Sequence, residues 1–162
     1  MKIAPLSFTC IMEKEFYLLE KTRNNVISSI ENLTIEELNK IPDGFNNNIA
    51  WNVGHLIVTQ QLLCYKLSGL PVKYEDSMIK DLMKGSAPTQ EYKNIDITFF
   101  KNELITTIEG IKEDYNSGKF KEYKTYETSY GVELNSVEDA IAFNNLHEAM
   151  HLGYIFALKR AL

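Results

Sequence analysis

The sequence has only two cysteines, Cys10 and Cys64. In a chain of 162 residues that is no disulfide framework of the kind that staples small secreted scaffolds. They read as two buried or partly buried thiols. Long apolar runs are missing: nothing approaches the roughly 20 residues needed to cross a bilayer. The opening stretch, Met1 to Phe16, is apolar only until Glu13, Lys14 and Glu15 interrupt it, and it has no small-residue cleavage site. A signal peptide is therefore not expected, and the cytoplasm is the expected compartment. An excess of positive charge is missing too. The formal net charge is −5, which leaves no basic face for the phosphates of nucleic acid or for anionic lipid. Neither nucleic acid nor membrane is expected as a partner. Histidine is the scarcest of the chemically versatile residues after cysteine and tryptophan, with three copies in all.

What is present suits one helical domain over residues 1–162. Hydrophobic residues make up 44% of the chain, enough for one sizeable core. Four long stretches have helical periodicity. The first runs from about Leu6 to Glu31, with Phe8, Ile11, Met12, Leu18, Leu19, Val26 and Ile30 near one face. A short turn follows at Thr34–Leu38, where Thr34 and Glu37 have the spacing of a capping box. The second long helix runs from about Asn48 to Leu67 and stops at Ser68-Gly69. The third covers about Asp96 to Tyr115, with Phe99, Phe100, Leu104, Ile108, Ile111 and Tyr115 as its apolar positions. The fourth starts at a Ser136/Asp139 cap and reaches about Lys159. Leu70 to Ile95, with a short helix near Ser77 to Lys84, is too long for a tight turn between neighbours and suits a crossover. Lys119 to Asn135 reads as irregular structure or a short hairpin. The fold class expected is all-α, a four-helix bundle with a long second connection.

The three histidines fall on two of these helices. His147 and His151 are one turn apart, about 40° around the axis and about 6 Å along it, so two imidazoles can reach one ion. Ala140, Leu158 and Tyr154 lie within about 20° of His147 on the helical wheel, so the pair projects from an apolar stripe. His55 sits in a comparable stripe with Trp51, Val58 and Leu62. One such histidine is ordinarily a core residue with a neutral partner. Two imidazoles within reach of each other in an apolar interior are costly unless something ties them together, and a metal ion does so by accepting both lone pairs. His55, His147 and His151 are therefore the expected metal ligands.

Three imidazoles leave a position open. Cys64 lies nine residues past His55, about 180° around the same helix, and points away. A closed structural zinc site would need a fourth protein ligand, so an open position for water or substrate is expected. Imidazole suits Zn, Ni, Fe or Cu, and ligand type does not choose among them. Asn144, Asn52 and Thr59 lie near the ligand directions and are candidates to orient the rings. Glu148, about 100° from His147, is at the edge of the stripe. Glu148, Asn144 and Asn52 are the candidate catalytic residues.

His147-Glu-Ala-Met-His151 also fits the H-E-x-x-H pattern of zinc peptidases. The fit is read as incidental, because the downstream ligands those enzymes need are missing and Gly153 comes one residue early for the metzincin extension. The arrangement more closely resembles the DinB-like superfamily of small metal-binding bundles. The resemblance rests on Trp51-Asn-Val-Gly-His55-Leu56 in the second helix. It rests equally on His147-Glu-Ala-Met-His151-Leu-Gly153-Tyr154-Ile155 in the last, where many relatives carry Gln in place of Tyr154. It implies an up-down-down-up bundle, often a homodimer, with Zn or Ni held by three histidines and water completing the shell. Characterised relatives include S-transferases that use bacillithiol and a mycothiol-dependent isomerase; many others are described only as metal-dependent hydrolases. The expected function is thus a metal-dependent thiol S-transferase acting on a small molecule, with a low-molecular-weight thiol as cosubstrate. The alternatives are a hydrolase using metal-bound water, or a metal-binding bundle without turnover. Phe143, Leu146, Met150, Gly153 and Ala157 form a second apolar strip, either more core or a dimer face.

Overall fold

A computed structural model describes residues 8–88 and 96–162, with side chains from residue 12 onward. The expected helix start at Leu6, the side chains of Phe8, Cys10 and Ile11, and the end of the Leu70–Ile95 connection lie outside the described residues.

The described chain is mostly helical: α1 (Phe8–Ile30), α2 (Ile35–Asn39), α3 (Ile49–Gln60), α4 (Asp76–Leu82), α5 (Ile97–Asn116) and α6 (Val137–Arg160). Two short strands, β1 (Tyr126–Glu127) and β2 (Glu133–Leu134), pair antiparallel with Tyr126 opposite Leu134. Helices α1 and α3 each pack against both α5 and α6. No helix among the described residues is long and apolar enough to cross a membrane.

Caps set the helix starts. Thr34 Oγ1 accepts from Glu37 N at 3.2 Å while Glu37 Oε2 accepts from Thr34 N at 2.8 Å, the reciprocal arrangement their spacing calls for. Asn48 Oδ1 accepts from Trp51 N at 2.8 Å, Asp96 Oδ1 from Thr98 N at 2.9 Å, and Ser136 Oγ from Asp139 N at 3.2 Å. Each supplies an acceptor to an N–H that has no partner within its helix.

The buried stripe of α1 is Met12, Phe16, Leu19, Arg23, Val26 and Ile30, spaced alternately four and three residues apart as a core-facing helix requires. Leu18 lies about 120° from that stripe and is 41% exposed; Phe99 on α5 is exposed to the same degree. Neither takes the core place expected of it. The second apolar strip of α6 is divided: Phe143 packs against the core, whereas Leu146 and Met150 are 51% and 45% exposed.

The second long helix follows its expected path but changes its winding. After Gln60 the chain makes a π-turn over Gln61–Tyr65 and a 3-10 turn over Lys66–Ser68. Gly69 then ends the helix in the left-handed region, at φ 69°, where the lack of a Cβ makes glycine the favoured residue. Such π-turns frequently sit at functional sites. Here Leu62, Leu63, Lys66 and Leu67, all on the rewound segment, line a cavity.

Candidate metal centre

His55 projects from the middle of α3, and His147 and His151 from consecutive turns of α6. Because α3 packs on α6, the three rings converge. Their centroids are 5.1 Å (His55–His147), 4.8 Å (His55–His151) and 4.5 Å (His147–His151) apart. One ring nitrogen from each lies within 4.8 Å of the others, a group that could hold a metal ion. His55 Nε2 and His147 Nε2 are 3.2 Å apart. Two nitrogens bound to one tetrahedral ion at roughly 2.0–2.1 Å stand about 3.3 Å apart, so this spacing fits one.

The outer nitrogens are set by partners from the fold. His55 Nδ1 is 2.6 Å from the Leu82 carbonyl oxygen. A carbonyl only accepts, so Nδ1 carries the proton and the Nε2 lone pair points inward. Trp51 stacks on the His55 ring, with centroids 4.6 Å apart and planes 12° from parallel. His151 Nδ1 donates to Asn52 Oδ1 at 2.8 Å. The Asn52 amide is itself oriented, because its Nδ2 donates to the Asn48 carbonyl at 2.7 Å. Thr59 Oγ1 lies 3.3 Å from His55 Nε2. His147 Nδ1 has no hydrogen-bond partner among the described residues.

The other two candidates go elsewhere. Glu148 is fully buried, and its carboxylate is taken up by Arg23 and by Asn144 Nδ2. Asn144 therefore orients Glu148 and not a histidine. Cys64 is also fully buried and is not part of the three-histidine group. Burial pushes its thiol well above the ordinary range, despite the opposing pull of Arg23.

Burial dominates the titration of the cluster. It holds His147 down to about 3, with His151 and His55 adding repulsion. It holds His151 down to about 4, with a further contribution from His55. His55 is lowered by burial as well, partly offset by its bond to the Leu82 carbonyl. All three rings are therefore neutral at pH 7, the form that binds a cation.

The cluster forms the buried end of a cavity of about 420 Å³. Its walls come from the rewound end of α3, from Phe143 and Met150 on α6, from the turn after α4, and from the hairpin residues Tyr126, Thr128, Ser129 and Tyr130. Sequence reasoning missed three parts of this arrangement. The Leu82 carbonyl could not be found, because a backbone acceptor has no sequence signal. The hairpin's role as a wall had none either. Arg23 did carry a signal: it is a charge at a core position of a regular apolar stripe.

The fold and the site together define a helical protein with a three-histidine group at the base of an apolar pocket. Residues 18–155 match the family model of the DinB superfamily, and the chain belongs to that superfamily. No curated protein matches it.

Proposed function

We propose that the chain is a metal-dependent enzyme in which His55, His147 and His151 hold one divalent ion, Zn or Ni, and that it transfers a low-molecular-weight thiol to a small electrophile. A bound ion of this kind lowers the pKa of a coordinated thiol or water, so that a strong nucleophile forms near neutral pH. The chain's own residues do the remainder. The Leu82 carbonyl and Asn52 hold the His55 and His151 rings in place. Trp51 covers one face of His55. The cavity walls shed water and hold an organic molecule against the cluster. The helix packing supports a four-helix bundle of up-down-down-up order, and the solvent-facing strip at Leu146 and Met150 supports a homodimer. The cytoplasm suits a free thiol cosubstrate.

The observation that carries the reading is the junction of the three histidines with an apolar cavity. A metal that only pinned α3 to α6 would need no such space beside it. The test has two parts. Metal analysis of the untagged protein should find one divalent ion per chain, lost in His55→Ala. A panel of electrophiles, each with and without a small thiol such as cysteine or N-acetylcysteine, should then show turnover that requires the thiol and stops on chelation. Turnover without thiol would make the protein a hydrolase, and a loaded protein with no turnover would leave it a metal-binding bundle.

A further inference from the structure

The charges around the cavity are one-sided. In a chain of net charge −5, the charged residues that line the cavity among the described residues are Lys66 and Lys84, and no described aspartate or glutamate lines it. Among the described residues neither lysine has a carboxylate within salt-bridge distance. The acid next in sequence to the histidines, Glu148, is neutralised by Arg23. Both lysines are exposed, whereas His55 is buried and His147 and His151 are half-buried, so the positive charge stands nearer the solvent than the histidines do. The rest of the lining is mainly apolar or aromatic, with Leu62, Leu63, Leu67, Phe143 and Met150 among it, and its uncharged polar groups include Thr59, Thr128 and Ser129. Lys66 belongs to the rewound end of α3, and Lys84 is two residues past Leu82, whose carbonyl holds His55. The segments that build the site thus also deliver its charges.

We infer that the cavity selects small organic anions: an aliphatic or aromatic body lies along the apolar walls, its carboxylate or similar group meets Lys66 and Lys84 at the mouth, and its reactive end reaches the histidines. This deepens the functional reading above and rests on its placement of the reactive end. The selection itself depends on the lysines. Three neutral imidazoles leave a divalent ion's charge uncompensated, which adds to the same preference. Positive residues around a low-dielectric cleft attract and orient anions and repel cations of the same shape.

Three probes that share one body and differ in charge test this: 4-phenylbutyrate, 4-phenylbutanol and 4-phenylbutylamine, titrated calorimetrically into the zinc-loaded protein. Phenylbutyrate should bind about tenfold or more tighter than phenylbutylamine, with the alcohol between them. The preference should shrink in 0.5 M NaCl, because exposed charges are screened. It should fall several-fold in Lys66→Gln/Lys84→Gln and reverse in Lys66→Glu/Lys84→Glu, with thermal unfolding confirming that both variants fold. Equal binding of acid and alcohol would overturn the inference, and so would absence of binding by all three at millimolar concentration. A preference that survives in the double glutamine variant but vanishes in His55→Ala would also overturn it, because the carboxylate would then be reading the ion and not the lysines. Failure of the metal reading looks different: the zinc content would not depend on His55, while the charge preference could stand.

Discussion

Arg23 and Glu148 form an ion pair with both side chains fully out of solvent, Nη2 to Oε1 at 2.7 Å and Nε to Oε2 at 2.9 Å. Arg23 Nη1 also donates to Thr107 Oγ1 at 2.6 Å and to the Leu104 carbonyl at 2.9 Å. One guanidinium therefore joins α1, α5 and α6. Glu148 lies between His147 and His151 in sequence, so the pair also sets the rotation at which α6 presents both rings.

Glu148→Gln should accordingly act on stability. Removing one partner of a buried pair leaves the other charge uncompensated and costs about 3–5 kcal/mol. Denaturant unfolding should show a loss of that order for Glu148→Gln or Arg23→Met, and Arg23→Met/Glu148→Leu should recover much of it. Unchanged stability in Glu148→Gln with abolished turnover would instead make Glu148 a catalytic base.

Metal content should grade with distance from the ion. Each of His55→Ala, His147→Ala and His151→Ala should remove the bound ion after dialysis, as read by elemental analysis. Asn52→Ala leaves all three imidazoles and removes only the partner of His151 Nδ1. It should weaken affinity by about 10- to 100-fold without abolishing it.

Acid should weaken the metal-free protein through these same rings. Their folded pKa values are lowered, to about 3 for His147 and about 4 for His151, whereas the unfolded values are near 6.5. Between pH 6.5 and 4 the unfolded chain thus binds protons that the folded chain does not, and stability falls as pH falls through that window. The slope is about 1.4 kcal/mol per pH unit for each such proton. Unfolding of metal-free protein at pH 7, 6 and 5 should show it, and His147→Ala/His151→Ala should have the shallower dependence.

Gly54→Ala tests the link between packing and the site. A Cβ at Gly54 would lie 2.8 Å from both Leu82 methyls and 3.1 Å from Phe100 Cζ. Leu82 is fully buried and has little room to retreat. The variant should lose about 1–3 kcal/mol of stability and, because the Leu82 carbonyl orients His55, should also hold metal less tightly.

The exposed strip of α6 gives the last expectation. If Leu146 and Met150 meet a second copy, Leu146→Glu should convert a dimer to a monomer by light scattering, with thermal stability of the monomer retained. A native protein that is already monomeric would end the dimer proposal.

Helix positions, the caps at Thr34 and Ser136, and the three histidines were legible because each depends on local spacing. A period near 3.6 marks a buried face, and an oxygen three residues before a free N–H marks a start. Leu18 and Phe99 were misjudged because apolarity alone does not say where the centre of a stripe lies. The π-turn after Gln60 escaped because its residues are ordinary helix formers, and only their packing favours the altered hydrogen bonds.

The sequence by itself determined that three imidazoles would stand on two core-facing helices. Chain chemistry dictates which residues share a helix face, and that is a local property. The tertiary structure alone decided that the rings meet, that Leu82 and Asn52 set two of them, and that Glu148 belongs to Arg23. Those pairings join residues 27 to 125 positions apart, and only the packing of whole helices brings such residues into contact.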